Sequence, residues 1–241
     1  MEPKDTGAWA HPVSSLATTA VSPDDAVTGR RVAGPVHGFG QMWQKTFRVR
    51  LDGDGTSPRA AIATWKERFP TFWPQSVKFY APLAGIAPGE VALLEISPLP
   101  GAPVRLSTGV MVIYADDESF TFMTPEGHTL SAWITFSAYS DDGVTLAQVQ
   151  VLERPSDPLD DVAYHLGGSR MQSRFWEETL MALARHLGTN EPSVETTVVC
   201  VDRKRQWRYV RNLRHSATIH LMMRTATAPG RWVASRVHGG G

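Results

Sequence analysis

From Trp43 to Leu51 the chain alternates: Phe47, Val49 and Leu51 fall in one phase, and Gln44, Thr46, Arg48 and Arg50 in the other. A period of two predicts a half-buried strand. Asp52-Gly53-Asp54-Gly55 ends it, and Ser57 followed by Pro58 supplies an N-cap and a first-turn proline. Ile62, Trp65 and Phe69 then recur at spacings of three and four, the apolar side of a helix. Pro70 and Pro74 bracket Thr71-Phe72-Trp73, so this helix stops and a short second helical turn follows.

Six further strand-like segments follow at 77–80, 90–97, 104–115, 119–124, 130–140 and 144–153. Their separators, such as Pro88-Gly89, Pro100-Gly101, Asp116-Asp117, Pro125-Glu126-Gly127 and Asp142-Gly143, suit tight reversals, which make consecutive strands antiparallel neighbours. After Pro155 and Pro158 the period lengthens. Phe175, Trp176, Leu180, Leu183 and Leu187 mark one long amphipathic helix that ends at Gly188, with Gly167-Gly168 as a kink or as its true start. Residues 1–40, rich in Gly, Pro, Ser, Thr and Ala, show no periodicity and read as a flexible extension outside the core.

Strand, helix pair, about six antiparallel strands, long helix: this order over residues 41–188, closed by Ser169 to Leu187, resembles the helix-grip fold of the SRPBCC superfamily. That superfamily includes START lipid-transfer domains, the birch-pollen allergen group and polyketide aromatase/cyclases. The resemblance implies an α+β domain whose curved sheet wraps the long helix and leaves a cavity for a lipid- or polyketide-like molecule. Residues 1–40 and 189–241 depart from the pattern and are expected to be N- and C-terminal extensions.

Large side chains able to line such a cavity are frequent. Met111, Tyr114, Phe122, Trp133, Phe136, Tyr139 and Phe175 are the expected ligand contacts, although aromatic residues dominate filled cores as well as pocket walls. Glu95 and Arg105 interrupt apolar strand sequence, and unpaired burial of either costs several kcal/mol. They are candidates to pair across strands, to anchor a ligand's polar end, or to face water.

Signatures of chemistry are missing. Glu177 and Glu178 are adjacent on a helix, so their side chains diverge by about 100°. His215 and His220 are five apart, off the same-face spacing of paired helical ligands, and the single cysteine, Cys200, allows neither an intrachain disulfide nor a cysteine cluster. No metal, no cofactor and no catalytic residue is assigned. His37-Gly38-Phe39-Gly40 lacks the Lys and Ser or Thr of a phosphate-binding loop. An aromatase/cyclase-type enzyme using the same cavity, and an interaction module with a filled core, are the alternatives to a carrier.

Composition alters this picture at one end only. At 241 residues with 42% hydrophobic and 20% charged residues, the chain is an ordinary globular protein, and no secretory leader or membrane-spanning run is read, which points to the cytoplasm. The net charge is zero, yet no acidic residue follows Asp202, while Arg203, Lys204, Arg205, Arg208, Arg211, Arg214, Arg224, Arg231 and Arg236 do. Trp207, Leu213, Leu221 and Trp232 are interleaved with them, and a helix is predicted from about Asn212 to Thr225. The tail 203–241 is expected to dock on the acidic body of its own chain, with an anionic membrane surface as the second partner and nucleic acid as the third.

Overall fold

The computed structural model describes residues 6–52, 56–97 and 105–219. Eight strands form one antiparallel sheet: β1 (Met42–Leu51), β2 (Val77–Tyr80), β3 (Val91–Ile96), β4 (Leu106–Ala115), β5 (Ser119–Met123), β6 (Leu130–Asp141), β7 (Val144–Pro155) and β8 (Val194–Asp202). Their spatial order is β2-β3-β4-β5-β6-β7-β1-β8. The five sequential hairpins from β2 to β7 follow the turn chemistry; Asp142 and Gly143, both at positive φ, close β6 onto β7 in two residues.

Helix α1 (Pro58–Glu67) begins where expected, with the Ser57 hydroxyl accepting the Ala60 N–H at 3.2 Å. A 3₁₀ turn (Phe69–Phe72) follows it. Asp157 caps α2 (Pro158–Ala163) by accepting from the Leu159 and Asp160 N–H groups. One wide π-type turn, Tyr164–Gly168, with Gly167 at φ 133°, then leads into the long helix α3 (Ser169–His186). α3 crosses the concave side of the sheet and packs chiefly on β1 and β7 beside the 3₁₀ turn. This is the helix-grip α+β architecture expected from the order of elements.

Two differences concern the ends. β8 pairs with β1 along Val49↔Val194 to Trp43↔Cys200, so a boundary at residue 188 cuts through the sheet. Its signal was the β-branched run Val194 to Val201. Residues 6–40 do not hang free. Leu16 and Val27 are buried against Val91, Leu93 and Met111 on the convex face, and Ala33 donates to Thr124 O at 2.7 Å. A segment without periodicity can still be ordered when a sheet face and loop carbonyls satisfy its side chains and backbone. Gly109 permits this contact, since a Cβ there would lie 2.9 Å from Val27 Cγ2 and 2.5 Å from Ala92 O.

Residues 203–219 also lie against the body. Gln206 N donates to Phe39 O, Asn212 Nδ2 to His37 O and Ser156 O, and Thr218 Oγ1 to Asp160. Arg205 pairs with Asp161 at 2.7 Å, and the buried Arg154 pairs with Asp202 at 2.6 Å. Trp207 to His215 form a 3₁₀ helix. Of the α-helix predicted for 212–225, residues 212–215 belong to this 3₁₀ helix and 217–219 are α-helical, while 220–225, like Trp232, lie outside the described residues.

Candidate functional site

The register assigns each side chain to a face. Phe47, Val149, Phe136 and Phe120 stand in one row across β1, β7, β6 and β5, and Val151, Ile134, Phe122 and Val112 fill a neighbouring inward row. All belong to the main core under the helices. α1 adds Ile62 and Trp65, the 3₁₀ turn adds Phe69 and Phe72, and α3 adds Trp176, Leu180 and Leu183.

Phe69 sits at the centre. Its ring is fully buried and meets those of Trp73, Phe79, Phe120, Phe122 and Phe136 at centroid distances of 5.1–5.4 Å. The interplanar angles are steep, from 64° to 89°, the favoured edge-to-face arrangement. The space between sheet and helix is thus occupied by a side chain from a short turn, which belongs neither to the sheet nor to α3.

Around this ring lie buried polar groups: among the described residues, the indole N–H groups of Trp65, Trp73 and Trp176 have no hydrogen-bond acceptor. Trp73 and Trp176 are 6.2 Å apart, and Trp65 and Trp176 flank Phe136 at 5.2 and 5.6 Å. A buried donor without a partner forfeits about 1–3 kcal/mol. Three such donors surround one aromatic cluster.

Of the seven expected ligand contacts, the structure brings Phe122, Phe136 and Phe175 to this interior; Phe175 packs on Trp73 at 5.0 Å. The other four lie on the convex side. Met111 is covered by Leu16 and Val27. Tyr114 stacks edge-on against Trp9 at 4.7 Å and donates to Asp116; burial first, then that carboxylate, push its pKa up to about 12. Trp133 is partly exposed, with its indole N–H 2.7 Å from Met123 Sδ, and Tyr139 shares its outward phase. The physical reason is partly a bulge: the register shifts between Val112 and Tyr114, so Met111 and Tyr114 both face outward although they lie an odd number of positions apart. For Trp133 and Tyr139 the alternation itself, in phase opposite to Phe136, excludes the interior.

Glu95 and Arg105 pair with each other at 3.6 Å. Glu95 stands between Lys78 and Ser107 in the register, out of phase with the inward-facing Leu94, so neither residue anchors a ligand in the concave interior. Arg105 borders a separate cavity of about 240 Å³, lined also by Asp24, Arg30, Ser107, Glu126 and His215, under the N-terminal segment.

Sequence reasoning missed a buried ionic cluster. Lys45 and Glu153, both wholly buried, approach to 3.1 Å. Lys45 Nζ also donates to Gln172 Oε1 at 2.6 Å and Ser169 O at 3.1 Å, and stands 4.9 Å from the Tyr164 ring. The Tyr164 hydroxyl and Gln172 Nε2 both donate to Glu153. Burial first, then the Glu153 charge, raise the Tyr164 pKa. The cluster pins the first turn of α3 to β1 and β7. Phase was the available signal, because Lys45 shares parity with Phe47, Val49 and Leu51, and Glu153 with Val149 and Val151.

Among the described residues no group of three His, Cys, Asp or Glu side chains could hold a metal ion, and no helix is long and apolar enough to cross a membrane. No protein-family model matches the chain, and no curated protein matches its sequence. Solved structures do. A START superfamily protein from Mycobacterium smegmatis is 18% identical, covering 61% of this chain and 97% of that one, at a TM-score of 0.41. Major latex-like protein 151 from Panax ginseng is 11% identical, covering 62% and 100%, at a TM-score of 0.39. The di-domain ARO/CYC StfQ from the steffimycin biosynthetic pathway is 8% identical, covering 60% and 50%, at a TM-score of 0.44.

Proposed function

We propose that this chain binds a hydrophobic small molecule in its concave interior, and that the molecule enters by displacing the 3₁₀ turn that carries Phe69. The supporting observation is the set of three buried indole donors without acceptors around a plug supplied by a short turn. A ring-bearing ligand with carbonyl or ether oxygens replaces the edge-to-face contacts of Phe69 and satisfies those donors. The aromatic wall favours a fused or planar ring system, within the lipid- and polyketide-like range, over a plain alkyl chain. A second reading, an interaction module with a permanently filled core, draws support from the complete burial of Phe69.

The test separates them. Native mass spectrometry of the gently purified full chain, together with tryptophan-fluorescence titration by apolar aromatic probes, is carried out on the wild type and on Phe69→Ala. Ligand binding predicts a co-purifying or saturably quenching molecule and tighter binding once the plug is shortened. A filled core predicts no probe binding by the wild type, and Phe69→Ala then only destabilises.

A further inference from the structure

Neither 162–176, from the end of α2 into α3, nor 203–219 holds an acidic residue. The structure sets them side by side. Asp161, buried, is shared by Arg205 from one stretch, at 2.7 Å, and by His165 from the other, at 3.6 Å. Thr218 reaches Asp160 on the same helix. The acids of α2 are thus turned inward, and only cations and apolar side chains face out.

The apolar side chains are unusually exposed. Leu166, at the tip of the π-type turn, is 82% exposed, Trp207 71%, and Val162 and Met171 56% each. Gly167, at positive φ, kinks the chain directly after Leu166, whose side chain projects into solvent. Arg170, Arg174, Arg203, Lys204, Arg208 and Arg211 are exposed on the same two stretches. Apolar tips within a field of cations match the interface of an anionic bilayer, where apolar groups enter the headgroup region and the basic residues meet lipid phosphates.

We infer that this face docks on anionic membrane surfaces, with Leu166 and Trp207 as the inserting side chains and the arginines of 203–219 as the electrostatic contact. The charge complementarity selects lipid headgroups, and the exposed apolar tips distinguish this face from a purely electrostatic one. The 3₁₀ turn with Phe69 lies instead toward the C-terminal end of α3, where Phe72 meets His186 at 5.4 Å.

The test is co-sedimentation of the full chain with vesicles of phosphatidylcholine alone or with about 30% phosphatidylserine, at about 0.1 and about 0.5 M salt. Binding is expected only with phosphatidylserine and is weakened by salt. Each basic residue near such a surface is worth about fivefold, so Arg208→Glu with Arg211→Glu lowers partitioning at least about twentyfold. Leu166→Ser lowers it about tenfold without touching the core, and Leu83→Ser, equally exposed in the β2–β3 loop, leaves it unchanged. The inference is overturned by absence of vesicle binding at low salt or by equal binding to neutral vesicles. It is also overturned if the arginine variant abolishes binding while Leu166→Ser does not, an outcome that assigns the face to a nucleic acid or an acidic protein.

Discussion

On the concave face of the sheet, burial is aromatic and supplied by helices: Phe47, Phe120, Phe122 and Phe136 are covered by side chains of α1, the 3₁₀ turn and α3. On the convex face a smaller aliphatic cluster of Val91, Leu93 and Met111 is covered by residues 6–40, which have almost no regular structure. Helices satisfy their own backbones and need offer a sheet only side chains. An irregular arm must find partners for its N–H and C=O groups as well. Here the sheet and its loops provide them: Ala10 N donates to Ile113 O, Ala33 N donates to Thr124 O, and Arg31 O accepts from Glu126 N. Ile113 lies at the bulge, without a partner in the β5 register, so one irregularity both turns Tyr114 outward and offers a carbonyl to the arm.

The contrast is broken most severely at the concave charge pair. Glu153→Ala removes the only carboxylate that faces Lys45 within this cluster and leaves a wholly buried ammonium. The expected loss is about 3–5 kcal/mol in urea unfolding, with α3 loosened first. Lys45→Met with Glu153→Leu, which removes both charges together, recovers most of it. Equal loss in the single and double variants contradicts this account of the pair.

Phe69→Ala comes next. Loss of a fully buried phenylalanine costs about 3–5 kcal/mol if the cavity stays dry. If the interior is a ligand site, an apolar aromatic probe restores much of that loss, and the thermal midpoint then depends on probe concentration. A midpoint unmoved by any probe favours the filled core.

Leu16→Ala tests the convex face. Leu16 is 2% exposed, so truncation is expected to cost about 2–3 kcal/mol, whereas an arm that merely rests on the surface would lose less than about 0.5. Comparison with Phe69→Ala under identical conditions measures how unequal the two faces are.

Much of this fold is legible in local pattern, and the misreadings share a cause. The hairpins, the Ser57 cap and the long helix are set by neighbours in sequence, through turn residues and periodicity. The arm, β8 and the bulge depend on partners distant in sequence, or on one extra residue within a strand. The candidate site suffered most: choosing residues by aromatic type rather than by phase placed Trp133 and Tyr139 on the wrong face and passed over Lys45 and Glu153, whose phase marked them as inward. Trp65 and Phe69 were legible as the apolar side of a helix, but nothing local shows that this helix and its turn plug the sheet's concavity.

A pH dependence is also expected where the C-terminal segment meets the body. Asp160 is buried at 4% exposure, and its Oδ1 accepts the Thr218 hydroxyl at 2.8 Å. Burial first, then the neighbouring Asp157 carboxylate, push its pKa from the ordinary 3.8 up to about 8. Between those values the folded chain holds a proton that the unfolded chain has released, so this group favours folding most at low pH and ever less as pH rises toward 8. Above that, both states are ionised and the slope vanishes. Asp160→Asn retains a carbonyl for Thr218 and removes the titration. The wild-type melting temperature is therefore expected to fall relative to that of Asp160→Asn between about pH 5 and about pH 8, and the gap to level off beyond. Thermal scans of the two proteins across that range decide it: parallel curves mean that Asp160 is already ionised in the folded chain, and that its burial beside Asp157 is relieved by Thr218 and the surrounding backbone.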